Sequence, residues 1–209
     1  MKNQARVVVI GGGVVGVSTL YHLAKKGWED VVLVERRELT SGSTWHAAGL
    51  LPLFNMSYSV GQIHKYSVNF YQQLEEETGQ SVGLRQVSNI RLACTADRMD
   101  EYRFYAGVAK TIGVDVRNLT PADVKQIWPL CNTEGLVGAI QHPDDGYIQP
   151  ADLTQALAAG ARNMGAEIYR KTAVTAIRAT TDGDWCVETD QGEIVCQHVV
   201  SASGNFARK

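Results

Sequence analysis

The chain has 209 residues, 44% of them hydrophobic and 20% charged, a length that suits one large domain or one domain with part of a second. Its 20 Lys and Arg against 22 Asp and Glu give a net charge of -2 without a polybasic run, which argues against nucleic-acid binding. No stretch reaches the roughly 18 uninterrupted apolar residues of a membrane span, so we expect a soluble protein.

The cysteine pattern gives no sign of a metal or disulfide framework. The chain has four cysteines without C-x-x-C spacing, and we predict that all four are reduced core thiols: Cys94, Cys131, Cys186 and Cys196. No His, Cys and Asp set has the spacing of metal ligands. Because only five residues precede the first predicted strand, we expect a bacterial cytoplasmic protein; a mitochondrial matrix location would require that a transit peptide had been removed.

The first 35 residues predict a β-α-β unit. Residues 6–10 and 31–35 are short buried-strand patterns, and apolar residues at helical spacing lie between them up to Gly27. Such a short crossover requires parallel strands and a sheet covered by helices, so we predict an α/β fold.

The remaining elements follow in chain order. Residues 37–57 lack a clean period and are rich in small residues, which predicts a long functional loop. Helices are predicted over about 59–77, 97–112, from Thr120-Pro121 to Pro129, and over 152–164. The first of these has Val60, Ile63, Phe70 and Leu74 on one face. Strands are predicted over 87–95, 136–140, 167–169 and 173–179, followed by a hairpin of 185–189 and 193–201.

A glycine motif stands between the first strand and the first helix. Gly11, Gly13 and Gly16 form G-x-G-x-x-G, in which the first glycine makes the turn, the second lets backbone approach a pyrophosphate, and the third lets the helix lie close on the strand. Glu35 ends the second strand 19 residues after Gly16, where a carboxylate accepts hydrogen bonds from ribose hydroxyls. The sequence therefore predicts an adenine-dinucleotide site without a 2′-phosphate.

The loop after Glu35 bears on which dinucleotide binds. Small residues let backbone amides and hydroxyls reach a pyrophosphate and the edge of a ring system; they are Gly42, Ser43, Ala47, Ala48 and Gly49. Trp45 and His46 are the large exceptions. From the residues alone, His46 is either a hydrogen-bonding loop histidine or a cofactor contact, and Trp45 is either a core plug or part of the site.

Several segments together resemble one flavoprotein family. They are Val7–Gly16, Glu35-Arg36, the run Ser41-Gly42-Ser43-Thr44-Trp45-His46-Ala47-Ala48-Gly49-Leu50, Leu74–Gly79, Asp145-Gly146-Tyr147-Ile148-Gln149-Pro150 and Leu157–Arg162. The chain is similar in these segments to the dimethylglycine dehydrogenase and sarcosine dehydrogenase family, the covalent-flavin branch of the D-amino acid oxidase-like flavoproteins. The likeness spans nearly the whole chain, but only the first half of the flavoprotein module. The most specific segment is S-T-W-H-A-A-G, whose histidine carries FAD on the flavin 8α carbon in the family; by position this is His46.

The resemblance implies a set of cofactor-binding residues. Val174 matches the residue whose backbone lies on the adenine side, and Ala202 and Gly204 match the strand end that covers the ADP moiety. Ser203 and Phe206 depart from the family's usual Ala or Thr and Trp. The full implied set is Gly11, Gly13, Val14, Val15, Gly16, Glu35, Arg36, Gly42, Ser43, Thr44, Trp45, His46, Ala47, Ala48, Gly49, Leu50, Val174, Ala202 and Gly204.

The resemblance also implies a fold and an activity. The fold would be a Rossmann-like FAD-binding domain of segments 1–80 and 141–209, with 81–140 beginning a substrate domain and the rest of that domain beyond Lys209. The activity would be oxidation of an N-methyl amine, dimethylglycine or sarcosine, with hydride passing to flavin N5 and the methyl carbon leaving as formaldehyde or on tetrahydrofolate. The alternatives are an oxidase of another amine, for instance 4-methylaminobutanoate, or a catalytically inactive FAD-binding fragment. The electron acceptor stays open.

Some polar residues outside the motif are interpreted more simply. His22 and His198 are expected to be surface or hydrogen-bonded histidines within a helix and a strand. His64 is a weaker candidate for the active site, and Asp144-Asp145-Gly146 is typical of a turn.

Overall fold

The computed structural model describes residues 1–53, 55 and 57–207. Phe54 and Met56 of the predicted loop, and Arg208 and Lys209 at the end of the last predicted segment, lie outside the described residues. The chain divides into two compact units. The first is Met1–Ala48, Gln73–Gly83 and Gln149–Lys209, and the second is Gly49–Gln72 and Leu84–Ile148. Residues 49–72, predicted as part of the first segment, are thus grouped with the second unit.

Over the described residues the α-helices are α1 Val14–Lys25, α2 Tyr58–Thr78, α3 Ala96–Ile112, α4 Pro121–Ile127 and α5 Pro150–Asn163. Three of the helices, α3, α4 and α5, begin at a capping threonine or at a proline in the first turn. The clearest start is that of α4, where Thr120 and Asp123 form a capping box with Pro121 at the first helical position, as predicted.

The strands are short. They are β1 Gln4–Ile10, β2 Val31–Val34, β3 Leu50–Leu51, β4 Arg85–Gln86, β5 Asn89–Ala93, β6 Arg117–Leu119, β7 Gly138–His142, β8 Gly146–Tyr147, β9 Glu167–Tyr169, β10 Val174–Ala179, β11 Trp185–Thr189 and β12 Gly192–Ser201. The predicted strand over 87–95 is shorter in the structure, where it is β5, Asn89–Ala93; Ser88 before it has a φ of 68°, outside the extended region, and separates it from β4. The two-residue strands β3, β4 and β8 carry too few residues for a periodic signal, and the three-residue strand β6 was also not predicted, whereas β9, of the same length, was.

The first unit is built on a six-stranded sheet in the order β10-β11-β12-β1-β2-β9. The strands β12, β1, β2 and β9 run parallel, and β10, β11 and β12 are antiparallel. Every residue of β2 is buried, as a strand covered on both faces requires. The predicted parallel β-α-β unit and α/β class are confirmed.

Helix α1 lies against α5 in this unit. Tyr21 of α1 is fully buried, and a Cβ on Gly160 of α5 would lie 2.6 Å from its ring. The Tyr21 hydroxyl donates a hydrogen bond to Glu77 at 2.5 Å, and Lys25 forms a 2.8 Å ion pair with the same carboxylate. A small residue on α5 therefore sets how closely the two helices pack.

The second unit contains two small antiparallel sheets, β3-β8-β4 and β5-β7-β6. One apolar cluster in it contains Leu53, Val68 and Ile112. The predicted apolar face of α2 is partly wrong, since Val60 and Ile63 are exposed while Phe70 and Leu74 are buried. A helical period identifies which residues share a face, but not which turns of that face another element covers.

The prediction that all four cysteines are core thiols is wrong in part. All four are free, but only Cys131 and Cys196 are buried; Cys94 is exposed and Cys186 is intermediate. Cys94 comes directly after the last residue of β5. The chain has left the sheet at this point, so no neighbouring strand covers the side chain as it would within the strand.

His142 on β7 is a buried histidine that the sequence did not single out. It is 1% exposed, and its ring lies edge-on to Tyr105 with the ring centroids 6.4 Å apart. Burial lowers the pKa of His142 from 6.5 to about 4, and the charge of Arg91 acts in the same direction. The imidazole of His142 therefore stays unprotonated in the folded protein at pH values at which it is protonated in the unfolded chain.

We expect acid to destabilise the protein through His142. Between pH 6.5 and 4 the unfolded chain is protonated at this residue and the folded chain is not, so the free energy of unfolding falls by an amount on the order of 3 kcal/mol as the pH decreases. Urea unfolding at pH 7, 5.5 and 4 should show a smaller pH-dependent loss in His142→Asn. The exposed His198→Gln variant should keep the parent's pH dependence, and identical pH curves for the parent and His142→Asn would contradict the prediction.

Candidate functional site

The turn between β1 and α1 is built on very close backbone contacts. Gly11 has a φ of 115°, and a Cβ there would lie 2.4 Å from the carbonyl oxygen of Ala202 at the end of β12. A Cβ on Gly16 would lie 2.0 Å from the Gly11 carbonyl oxygen. The Ala202 amide donates to the Ile10 carbonyl at 2.8 Å, which fixes the end of β12 against the turn. The first and third glycines therefore hold the places that the motif predicts for them.

Helix α1 directs its first amides towards open space. Gly13 is its N-cap residue and supplies no side-chain hydrogen bond. The Val14 amide instead donates to Thr44 Oγ1 at 3.0 Å, and Val15 is exposed. A helix N-terminus with accessible amides attracts an anion through both hydrogen bonds and the helix dipole.

Glu35 has a role in the turn beyond the predicted one. Its Oε2 accepts from the Gly12 amide at 2.7 Å and its Oε1 accepts from the Arg37 amide at 2.8 Å. The carboxylate thus joins the glycine turn to the chain that leaves β2. Each oxygen keeps a second lone pair, so a ribose hydroxyl can still donate to it.

Gly12, the middle residue of Gly11-Gly12-Gly13, was missed in the sequence. It is buried, and a Cβ there would lie 2.9 Å from Glu35 Cβ and 2.7 Å from Leu39 Cδ2. The available signal was that Gly12 occupies the first x position of G-x-G-x-x-G, where the motif does not require a glycine.

The loop after Glu35 contains a single 3₁₀ turn, Ser43–His46, and is otherwise irregular until β3. Nδ1 of His46 lies 3.0 Å from the Gly42 carbonyl oxygen, and the His46 and Trp45 rings are tilted with their centroids 4.6 Å apart. Both side chains are exposed, so the alternative that Trp45 is a core plug is wrong.

These segments surround a cavity of about 1030 Å³ within the first unit. Fourteen residues of the predicted set line it: Gly11, Gly13, Val14, Val15, Glu35, Arg36, Gly42, Ser43, Thr44, His46, Ala47, Val174, Ala202 and Gly204. Gly16, Trp45 and Ala48 do not line it, and Gly49 and Leu50 belong to the second unit. Gly16 is buried under the Gly11 carbonyl, which agrees with a packing role rather than a contact role.

One wall of the cavity is formed by residues of which the sequence predicted only some. The chain from Thr172 to Ile177 lines it, and of this stretch only Val174 belongs to the predicted set. The Arg36 guanidinium lies over the Phe206 ring, 3.8 Å from its centroid, and both residues line the cavity. Phenylalanine thus supplies an aromatic ring on the cavity wall where the family usually has tryptophan, and this ring pairs with a cation.

The cavity suits a dinucleotide in three respects. Its volume is near the upper end of the usual range for small-molecule sites, about 300–1000 Å³. It has a helix N-terminus and small residues where a pyrophosphate needs close approach, and it has a carboxylate at the end of β2 where ribose hydroxyls need an acceptor.

Two absences hold for residues 1–53, 55 and 57–207. Over that part of the chain, no helix has the length and apolar character to cross a bilayer. Over the same residues, no group of three or more His, Cys, Asp and Glu side chains could hold a metal ion.

Comparison with known families and proteins is consistent with this geometry. Residues 6–209 match the family described as FAD dependent oxidoreductase. The chain is 45% identical to human mitochondrial dimethylglycine dehydrogenase and 39% identical to human mitochondrial sarcosine dehydrogenase, over 100% and 99% of its length. It is 37% identical over 100% of its length to 4-methylaminobutanoate oxidase (formaldehyde-forming) of Paenarthrobacter nicotinovorans. The chain spans only 24%, 23% and 25% of these three relatives.

The fold is also found in solved structures. Glycine oxidase from Geobacillus kaustophilus matches with a TM-score of 0.84 and 30% identity, over 99% of this chain and 57% of that one.

We expect Gly11→Ala to be far more damaging than Gly27→Ala. Both glycines have positive φ, 115° and 81°, but a Cβ on Gly27 has nothing within 4 Å. Gly27→Ala should therefore cost only the backbone strain, about 1–2 kcal/mol, whereas Gly11→Ala must also displace the Ala202 carbonyl and should cost more than about 4 kcal/mol. Urea unfolding measures both, and equal losses in the two variants would show that the close contact is unimportant.

Proposed function

Because the chain belongs to the FAD dependent oxidoreductase family, we propose that its first unit binds FAD in the cavity next to Gly11–Gly16 and that the complete protein oxidises an N-methyl amine. The observation that carries the proposal is one cavity lined by the α1 N-terminus, Glu35 and His46, in a chain 37–45% identical to three enzymes named for N-methylated amines. We assign the second unit to the beginning of the substrate domain.

The adenosine end of FAD would lie near Glu35. The carboxylate would accept from the ribose hydroxyls while still holding the Gly12 and Arg37 amides. Its negative charge disfavours a 2′-phosphate, so NADP is a poor occupant. The Arg36–Phe206 pair and the backbone of Val174 supply a flat, partly apolar wall for the adenine.

The pyrophosphate would lie at the α1 N-terminus. The Val15 amide has no preceding turn of helix to bond with, and Thr44 Oγ1 can accept from the Val14 amide while its hydroxyl hydrogen is donated to a phosphate oxygen. Gly13 keeps this approach open, since a side chain there would compete for the space next to Thr44 Oγ1, 3.1 Å from the position of its Cβ. FAD bound in this way supplies the hydride acceptor, and the protein supplies binding and orientation.

We assign the covalent attachment of FAD to His46. The Gly42 carbonyl can only accept a hydrogen bond, so the His46 Nδ1 3.0 Å away carries the hydrogen. The Nε2 of the neutral ring then carries the lone pair, and the exposed side chain leaves it accessible. Nε2 is therefore the nitrogen that would bond to the flavin 8α carbon.

The substrate class follows from the relatives. Dimethylglycine dehydrogenase, sarcosine dehydrogenase and 4-methylaminobutanoate oxidase are all named for a methylated amine, and the third name specifies formaldehyde as a product. Dimethylglycine is the first choice because that relative has the highest identity of the three. Tetrahydrofolate would accept the one-carbon unit if the complete protein binds it. The second candidates are another N-methyl amine as substrate and a catalytically inactive FAD-binding protein.

We expect the complete protein to release formaldehyde, or form its folate adduct, from dimethylglycine or sarcosine in the presence of an artificial electron acceptor. N-demethylation retains the amine nitrogen in the product, whereas oxidation of glycine as in a glycine oxidase releases ammonia. Measuring formaldehyde and ammonia with dimethylglycine, sarcosine, 4-methylaminobutanoate and glycine separates these activities. Ammonia from glycine without formaldehyde from any methylated amine would overturn the proposed substrate class, and no turnover of any of the four would favour the inactive alternative.

We expect His46→Ala to abolish acid-stable flavin. The complete protein denatured in acid should keep a fluorescent flavin on the peptide that contains His46, because a covalent bond survives unfolding. His46→Ala should release all of its flavin under the same treatment. The matched variant His22→Ala removes a histidine of α1 and should retain the acid-stable flavin. Acid-stable flavin in His46→Ala would show that another residue carries the cofactor.

A further inference from the structure

Thr44 joins the loop that carries His46 to the start of helix α1. It lies in the 3₁₀ turn Ser43–His46, and its Oγ1 accepts from the Val14 amide at 3.0 Å. Among residues 41–48, all of which the structure describes, Thr44 is half-buried and the others are exposed. A stretch with so little burial has few contacts to order it, so a single anchored side chain has a large share in fixing its position.

The turn that carries His46 is braced internally. The Nδ1 of His46 donates to the Gly42 carbonyl at 3.0 Å, and the Ala47 amide donates to the Thr44 carbonyl at 3.2 Å. These two bonds overlap along the chain, because the first spans Thr44 and the second spans His46. Thr44 and His46 therefore belong to one small rigid segment, and a contact that fixes Thr44 also fixes His46.

This segment, Gly42–Ala47, has a single external tie of its own. Within the part of the chain that the structure describes, one hydrogen bond joins it to another element, and this is the bond from Val14 to Thr44. The loop is also held earlier, where the Thr40 amide donates to the Gly12 carbonyl at 2.9 Å. Thr40 has a φ of 70°, a strained value for a β-branched residue that persists only where the surrounding contacts impose it. Both ties end on the glycine turn, Gly12 to Val14.

The reacting ends of FAD and of the protein need to be held relative to each other. The proposed pyrophosphate site is the α1 N-terminus, and the ribityl chain between a pyrophosphate and the flavin ring contains several rotatable bonds. Two groups that react at the end of flexible segments meet rarely unless each is held in place. Because Thr44 ties its segment to the same helix N-terminus, it fixes His46 relative to the pyrophosphate site.

We propose that Thr44 is a positioning residue for the attachment of FAD: by accepting from the Val14 amide, it holds the segment Gly42–Ala47, and with it His46, in a fixed place next to the α1 N-terminus. This inference rests on the proposed function for the attachment at His46. The tie between the segment and α1 stands without that function.

The proposed role does not involve transfer of protons or electrons by Thr44. Attachment at Nε2 of His46 forms one N–C bond and breaks one C–H bond of the flavin 8α methyl group. The electron pair of that C–H bond stays on the flavin, together with the two protons released, one from the methyl group and one from the imidazole. Dioxygen then oxidises the reduced flavin and is itself reduced to hydrogen peroxide. Thr44 therefore acts on the rate only through the position of His46.

The test compares Thr44→Val, which removes the acceptor and keeps the shape of the side chain, with Thr44→Ser, which keeps the hydroxyl. Hydrogen exchange of the flavin-free complete protein, read by mass spectrometry on the peptides containing Val14 and Ala47, should be at least about fivefold faster in Thr44→Val, the effect of losing one hydrogen bond between uncharged groups. The rate constant at which saturating FAD becomes acid-stable should fall by a similar factor. Thr44→Ser should stay within about twofold of the parent in both measurements.

Saturating FAD separates positioning from affinity. A residue that only binds a phosphate oxygen would change the FAD concentration needed for half the maximal rate and leave the rate constant at saturation unchanged. That result in Thr44→Val would overturn the inference, and so would parent-like hydrogen exchange in both peptides.

A control makes the same change elsewhere on α1. The Thr19 hydroxyl donates to the Val15 carbonyl at 2.9 Å and does not line the cavity, so Thr19→Val should keep the parent's attachment rate constant. An equal fall in Thr19→Val would assign the effect to a general loss of stability and overturn the inference. If Thr44→Val does not fold, Thr44→Ala replaces it. Acid-stable flavin in His46→Ala would overturn the proposed attachment instead, and the exchange result would still decide whether Thr44 holds the segment.

Discussion

The first unit depends on the absence of side chains where β1, α1 and β12 meet. The Gly11 backbone lies where a Cβ would be 2.4 Å from the Ala202 carbonyl, and Gly16 packs against the Gly11 carbonyl in the same way. Only this approach lets α1 begin directly beyond the end of β1 with its first amides facing the cavity. Because β12 pairs with β1 in parallel and ends at the turn, the same contact also places Ala202 on the cavity wall. The position of the α1 N-terminus at the cavity and the packing of the sheet thus have one steric cause.

Polar side chains then attach the loop to this turn. Glu35 accepts from the Gly12 amide, and Thr44 accepts from the Val14 amide, so the chain that leaves β2 is bound to the turn at two points. The Thr40 amide donates to the Gly12 carbonyl at 2.9 Å and adds a third. These bonds hold the 3₁₀ turn that carries His46 without burying its side chain. A histidine that is oriented by Gly42 but still exposed is suited to react with a bound molecule, whereas a buried one would be suited to packing.

Buried polar groups organise the second unit in a different way. Its sheets are short and antiparallel, and two-residue strands supply little stability of their own. Asp145 and His142 are both about 1% exposed; burial raises the pKa of Asp145 and lowers the pKa of His142, and the charge of Arg91 lowers both. Such groups cost free energy to bury and are destabilising when a partner is lost, so they specify one arrangement of the chain more sharply than apolar contacts do.

The sequence by itself determined the parallel β-α-β unit, the glycine turn with Glu35 at the end of β2, and the loop that presents His46. These features are local, because a buried-strand pattern, a helical period and a glycine spacing all lie within residues 1–50. Only the tertiary structure decided that Glu35 holds Gly12 and that Asp145 holds Leu53, a residue 92 positions away. It also decided that Cys94 is exposed and His142 is buried. The physical reason is that periodicity reports which residues share a face of one element, whereas burial and hydrogen-bond partners depend on which other stretch of chain packs against that face.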